Sequence, residues 1–216
     1  MTRIWSILTL IAALAFAASP WLAPGFNGFS PDQFPVPQDD PPVQPAGYAF
    51  AIWGLIYVWL IAGAAYGAVK RGDDPDWAEM RPPLVLSLAL GAVWLPLAQV
   101  SVLGATVLIW IMLATALRSL FRVGDTDRAW QQAPVAVYAG WLTAASSVSV
   151  GLVLAGYGLL PETPAALLAL CLGLAIALTV QYRLHRAPEY GITVIWALVG
   201  IIVANTAPLN IAVVGL

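Results

Sequence analysis

Few side chains in this 216-residue chain could do acid–base or metal chemistry, and none of those few lies well inside an apolar stretch. His185 is the only histidine and sits between Arg183 and Arg186 at the border of an apolar run, with no Cys, Asp or second His at ligand spacing. It reads as a basic interfacial anchor rather than a metal ligand. Lys70 is the only lysine and ends an apolar run, so the last run has no lysine for a retinal Schiff base. Proton pumps, ion-coupled transporters and voltage sensors need ionisable groups within the bilayer, and this chain supplies none there. No catalytic residue and no metal site are assigned, and the chain is expected not to be an enzyme. The single cysteine, Cys171, lies in an apolar run and reads as a small packing residue.

What the chain does hold is aromatic surface. Of its ten tryptophans, Trp5, Trp21, Trp77 and Trp130 fall near the ends of apolar runs, where amphipathic rings favour the headgroup region. Trp53, Trp59, Trp94, Trp110, Trp141 and Trp196 fall further in. A buried indole needs a partner for its N–H, so several in one bundle are costly as filler and suit a pocket for a flat, apolar ligand, with aromatic packing alone as the alternative for any one of them. The densest cluster follows Pro45: Tyr48, Phe50, Trp53 and Tyr57. Trp53 and Tyr57 are four apart and share a helix face, and Phe50 and Gly54 are expected to extend that side.

The elements that must position these rings follow from composition. With 61% hydrophobic and 9% charged residues, the chain is far from a soluble domain, where about 25% of residues are charged. Apolar runs at 4–23, 47–69, 83–99, 102–121, 132–156, 164–182 and 191–213 are each near the length that crosses hydrocarbon, and only helices satisfy their own backbone there. The reading is an all-α integral membrane protein, a seven-helix transmembrane bundle forming a single domain over 1–216. All nine basic residues fall at the N-terminus and in every second loop. By the positive-inside rule this puts the N-terminus in the cytoplasm and the C-terminus outside, in what is expected to be a bacterial inner membrane. Arg3 followed by an apolar run and Ala15-Phe16-Ala17 could pass for a cleaved signal peptide, but the run continues to Leu22 and is read as a first helix. The loops 70–82 and 122–131 mix acids with bases and read as solvated faces. Net charge of −2 leaves no basic face for nucleic acid.

One long loop remains, 24–46, with seven prolines and Phe26, Phe29 and Phe34. Proline bars a helix and stiffens the segment. The three phenylalanines tip the reading towards a lid that packs on something, with a solvated tether as the alternative. In the last run, Asn205, Thr206 and Asn210 flank Pro208, which is expected to kink the helix and free a carbonyl for an Asn side chain or a ligand.

These residues resemble the TspO/translocator proteins, the tryptophan-rich sensory proteins of the peripheral benzodiazepine receptor group. The family's second helix carries a pattern like P-x-W-x-P-P-G-W-x-F-G-P-V-W-x-x-L-Y. Pro45, Gly47, Tyr48, Phe50, Trp53 and Tyr57 are similar to it, with Tyr48 for a Trp. Gly91 to Leu97, around Trp94 and Pro96, resembles L-x-x-N-x-x-W-x-P-L-F-F with Gly91 for the Asn. Trp141 to Ser149 resembles W-x-x-x-A-x-x-L-N, with Ala145 in register and Ser149 for the Asn. The Tyr48-to-Trp53 interval is one residue shorter than the family's, a rotation of about 100° on a helix. The resemblance covers residues 1–156 as a five-helix unit, with the helices in 157–216 as additions. It implies a membrane protein that binds a porphyrin, another tetrapyrrole or a sterol-like molecule non-covalently in an aromatic pocket under the loop 24–46, in a sensory or regulatory role. The ligand-binding residues it implies are Tyr48, Phe50, Trp53, Tyr57, Gly91, Trp94, Trp141, Ala145 and Ser149, and Asn205 is added as a replacement for the lost asparagines. Expected partners are a hydrophobic small molecule and membrane lipids, with a homodimer left open. The rival reading is a small-molecule transporter or permease whose pathway the two additional helices complete.

Overall fold

The computed structural model describes residues 2–22 and 28–216. Pro24, Gly25 and Phe26 of the long loop lie outside the described residues. Within them the chain is helical: α1 (Thr2–Leu22), α2 (Ile52–Lys70), a short α3 (Pro75–Ala78), α4 (Arg81–Val100), α5 (Val102–Leu120), α6 (Gln132–Gly156), α7 (Glu162–Arg183), α8 (Pro188–Ala204) and a terminal turn α9 (Ile211–Val214). Among the described residues, six spans are long and apolar enough to cross a membrane, and α8 is a shorter apolar helix. This is a helical integral membrane bundle.

Five helices close a ring. α1 packs on α2 and α4, α4 on α5, α5 on α6, and α6 returns to α2. α7 and α8 pack on the opposite side of α6. α6 is therefore enclosed all round, with 67% of its apolar window buried against 28–39% in the other five spans. Its composition suits that position. Small residues let backbones approach, and a Cβ on Gly140 would come within 2.5 Å of the Tyr190 carbonyl on α8. Its hydroxyls bond back along the helix, Thr143 Oγ1 to Ala139 O at 2.9 Å and Ser147 Oγ to Thr143 O at 2.9 Å. These are the ways a helix interior satisfies Ser and Thr.

α4 and α5 form a tight antiparallel pair hinged at Ser101, whose side chain caps α5 by accepting from Gly104 N at 3.0 Å. The N-terminus and the loops after α2, α5 and α7 meet at one end of the bundle. Thr2 Oγ1 donates to Asp73 there, Arg71 Nε to Asp127 Oδ2 at 2.6 Å, and Arg186 Nη1 to Asp125 Oδ1 at 2.8 Å. α2, α5 and α7 all end there, each with a basic residue in its last turn, which complements the helix dipole.

These loops are more than solvated faces. Arg81 is fully buried and donates to the carbonyls of Gly67, Arg71 and Gly72, closing the C-terminus of α2. Trp77, expected as a headgroup anchor, is buried beside it and donates to Asp127. Cys171, expected as a packing residue, is exposed on the outer side of α7.

Two further expectations change. Residues Gly47–Ala51 form a 3-10 turn, and the α-helix proper starts at Ile52. The last helix does not run to 213 with a kink at Pro208. It stops at Ala204 and is followed by a turn bridged between Thr206 and Leu209. Asn205 ends α8 and Asn210 caps α9, its Oδ1 accepting from Val213 N at 3.4 Å. Proline cannot donate a helical hydrogen bond, so the chain turns there and does not bend.

The described part of the long loop is a fixed roof over the other end. Gln33 Nε2 donates to the carbonyls of Ala98 and Gln99 at the end of α4, at 2.9 and 3.2 Å. Val36 N donates to Gly156 O at the end of α6, at 2.9 Å. Ala46 N donates to Gly200 O at 3.0 Å, and Asn205 Nδ2 to Pro42 O at 2.8 Å, tying the loop to α8. Phe34 and Val43 are buried beneath it.

Candidate functional site

Under this roof, the five-helix ring encloses aromatic side chains from four elements. Trp53 and Tyr57 stack nearly parallel, 5.4 Å apart and 18° between planes. Trp141 of α6 meets Trp53 edge-on at 6.1 Å and Phe50 at 5.8 Å. Phe16 of α1 sits at the centre, edge-on to Trp53 at 5.7 Å, Tyr57 at 5.1 Å and Tyr138 at 5.5 Å. Edge-to-face contacts at these separations are the favoured arrangement of ring quadrupoles. Gly91 faces this cluster because nothing larger fits: a Cβ there would lie 2.5 Å from the Phe16 ring.

Two adjoining cavities open between the rings and share Phe50, Trp94 and Ile109 as a common wall. The larger, about 390 Å³, lies between α1, α2, α4 and α5, and Trp53, Tyr57 and Gly91 line it. The smaller, about 60 Å³, lies directly under the loop, with Phe29, Gln44 and Pro45 as its roof and Trp141, Ala145 and Ser149 as its far wall. Trp94 is held by its indole N–H, which donates to Ala105 O on α5 at 2.8 Å. Phe29 meets Trp94 at 6.3 Å and Phe34 at 5.9 Å, joining roof to wall. On the side towards the basic end, the Tyr138 hydroxyl and Ser87 Oγ pair at 2.9 Å, and Ser87 also donates to Met112 O at 2.8 Å. These groups seal the floor.

Eight of the ten residues expected to bind ligand therefore line one or other cavity: Phe50, Trp53, Tyr57, Gly91, Trp94, Trp141, Ala145 and Ser149. Tyr48 and Asn205 do not. Tyr48 belongs to the 3-10 turn, is 45% exposed and packs edge-on against Trp196 of α8 at 5.6 Å. The shortened interval to Trp53 carries it off the inner face. Asn205 is buried, but its amide donates to Pro42 O and Ile201 O and so holds the roof. Gly54, expected beside Phe50, faces outward, and a Cβ there would meet nothing within 4 Å.

Phe16, Pro20, Ile109, Met112 and Leu142 also line the larger cavity and carry no motif. Phe16 is the middle residue of the Ala-Phe-Ala stretch that resembles a cleavage site. Tyr57 is the one titratable side chain on either cavity wall among the described residues. The arrangement can enclose and stack on an apolar molecule, with Gln44, Ser149 and the Tyr57 hydroxyl as its polar contacts.

A helical integral membrane protein with an aromatic cavity roofed by a pinned loop is the class these features define. The model of the TSPO-like protein family matches residues 3–216, and the chain belongs to that family. The match runs through α7 and α8 as well as the five-helix ring. No curated protein and no solved structure matches the chain.

Proposed function

We propose that this protein is a TspO-type binding protein that holds a flat, apolar small molecule, of tetrapyrrole or sterol-like character, for a sensory or regulatory purpose. The observation that carries the reading is the pair of cavities sharing Phe50, Trp94 and Ile109 under the roof residues Phe29, Gln44 and Pro45. A volume of about 390 Å³ falls in the range of small-molecule sites, roughly 300–1,000 Å³, and an apolar lining with a few polar groups is their usual chemistry. With Tyr57 the one titratable group of the lining, the reading is binding rather than catalysis. Sidedness follows the basic residues, with the roof outside and the basic end in the cytoplasm of a bacterial inner membrane.

The test uses protein in detergent and a porphyrin as the probe. Saturable quenching of tryptophan fluorescence is expected. Trp53→Ala should weaken binding by about 1–3 kcal/mol, the scale of losing one aromatic stacking platform. Equal affinity of the wild type and Trp53→Ala would mean nonspecific partitioning and would end this reading. Uptake of the same porphyrin into liposomes carrying the protein, faster than into empty ones, would replace binding with transport.

A further inference from the structure

On the outside of the ring, a furrow of about 480 Å³ runs between α2 and α8 over the surface of α6. Leu55 and Trp59 form one wall, Ile192 and Trp196 the other, and Val137 the floor. Both indole N–H groups are already used, Trp59 on Ala129 O at 2.7 Å and Trp196 on Ala49 O at 3.0 Å. The rings are thus fixed and offer the furrow only apolar surface. From Glu189 to Trp196 the wall rises roughly 10 Å, at 1.5 Å per residue. That is most of one leaflet's hydrocarbon, about half of 30 Å.

The end towards the basic loops is polar. Glu189 lines the furrow there, and its Oε1 accepts from Arg128 Nη2 at 2.5 Å. Its Oε2 is buried with no hydrogen-bond partner among the described residues. A carboxylate oxygen buried without a donor is costly, so this atom calls for one. Arg128 is half exposed and has N–H donors beyond the one it gives Glu189. An apolar slot most of one leaflet deep therefore ends in a cation beside a carboxylate.

We propose that this furrow binds one phospholipid whose headgroup carries a primary ammonium. The acyl chain lies between Trp59 and Trp196, the phosphate meets Arg128, and the ammonium pairs with the Glu189 side chain, which is 17% exposed. A quaternary ammonium headgroup has no N–H to donate, and a glycerol headgroup has no cation. The site shares no wall residue with the cavity under the roof except Ala51, and it stands whether or not that cavity binds a tetrapyrrole.

The test is lipid retention by the full chain, read by native mass spectrometry after equilibration with equimolar phosphatidylethanolamine, phosphatidylcholine and phosphatidylglycerol. The wild type should retain one phosphatidylethanolamine with a preference of about tenfold over phosphatidylcholine, the scale of one charge-assisted hydrogen bond. Glu189→Gln should bring the two close to parity. Leu55→Trp, on the exposed rim and away from the polar groups, should lower retention of the bound lipid whatever its headgroup. Equal retention of the two lipids by the wild type, or an unchanged preference in Glu189→Gln, would overturn the headgroup assignment. Undiminished retention in Leu55→Trp would overturn the furrow itself.

Discussion

Asp127 has φ +52°, a left-handed conformation that Asp tolerates better than most residues. Its carboxylate gathers Arg71 Nε at 2.6 Å, the Tyr66 hydroxyl at 3.0 Å and Trp77 Nε1 at 3.3 Å, and its carbonyl accepts from Trp130 N and Gln131 N. One residue thus ties the end of α2, α3 and the start of α6 together. The hydrogen bond from Arg71, helped by those from Tyr66 and Trp77, holds the Asp127 carboxyl below the usual carboxylate range. A depressed carboxylate stabilises the fold at and above its unfolded pKa, about 3.9, and that contribution is lost as pH falls through the folded value. Thermal melts in detergent should therefore be lowered at neutral pH by Asp127→Asn, and the variant should lose less stability than the wild type between pH 5 and about 3. Parallel melting curves for the two proteins across that range would contradict the assignment. None of this was legible in the mixed charges of 122–131, because a loop's composition does not reveal which partner folds back onto it.

At the scale of elements, the roof over the cavity depends on α8 ending where it does. Asn205 terminates the helix and gives its amide to Pro42 O and Ile201 O from a buried position. Asn205→Ala should cost about 1–2 kcal/mol, one to two ordinary hydrogen bonds. It should also speed amide exchange at Gln44 and Ala46 more than in the mid-helix residues of α6, which is checked by hydrogen exchange in detergent. The apolar composition of 211–214 hid this turn, since an apolar run reads as continuous helix until tertiary contacts interrupt it. Trp53, Tyr57, Trp94 and Trp141 were legible because helical spacing and three partial motifs marked them. Phe16, Ile109 and Met112 were not. In a membrane helix the lipid-facing and core-facing sides are both apolar, so periodicity does not separate them.

Over the whole molecule, the basic residues and the helix directions agree. The N-terminus and the loops after α2, α5 and α7 meet at one end, and the Pro-rich roof and Glu162 lie at the other. If the basic end is cytoplasmic, cysteines placed at Asp39 and Glu162 in a background with Cys171 replaced should label from outside the cell, and one placed at Asp125 should not. Strong external labelling at Asp125 would invert the proposed orientation. The alternation of Lys and Arg made this arrangement readable, since it is a property of loop composition and needs no side-chain contact. The arrangement of helices around α6 was not readable from seven similar apolar runs. The family match across 3–216 carries the resemblance past the five-helix ring to the C-terminus.

The enclosure of α6 has a consequence for how the chain is made. Helices leave the ribosome in order, so α6 enters the bilayer with α1 to α5 in place but before α7 and α8 exist. For that interval the side that will meet them, with Gly140, Thr143 and Ser147, faces acyl chains. A hydroxyl without a partner in hydrocarbon would be costly, but Thr143 and Ser147 already bond to carbonyls of their own helix. The half-built protein thus carries its polar groups satisfied while it waits, and α7 and α8 dock by close packing, with Thr143 Oγ1 left to accept from the Tyr190 hydroxyl of α8 at 2.8 Å.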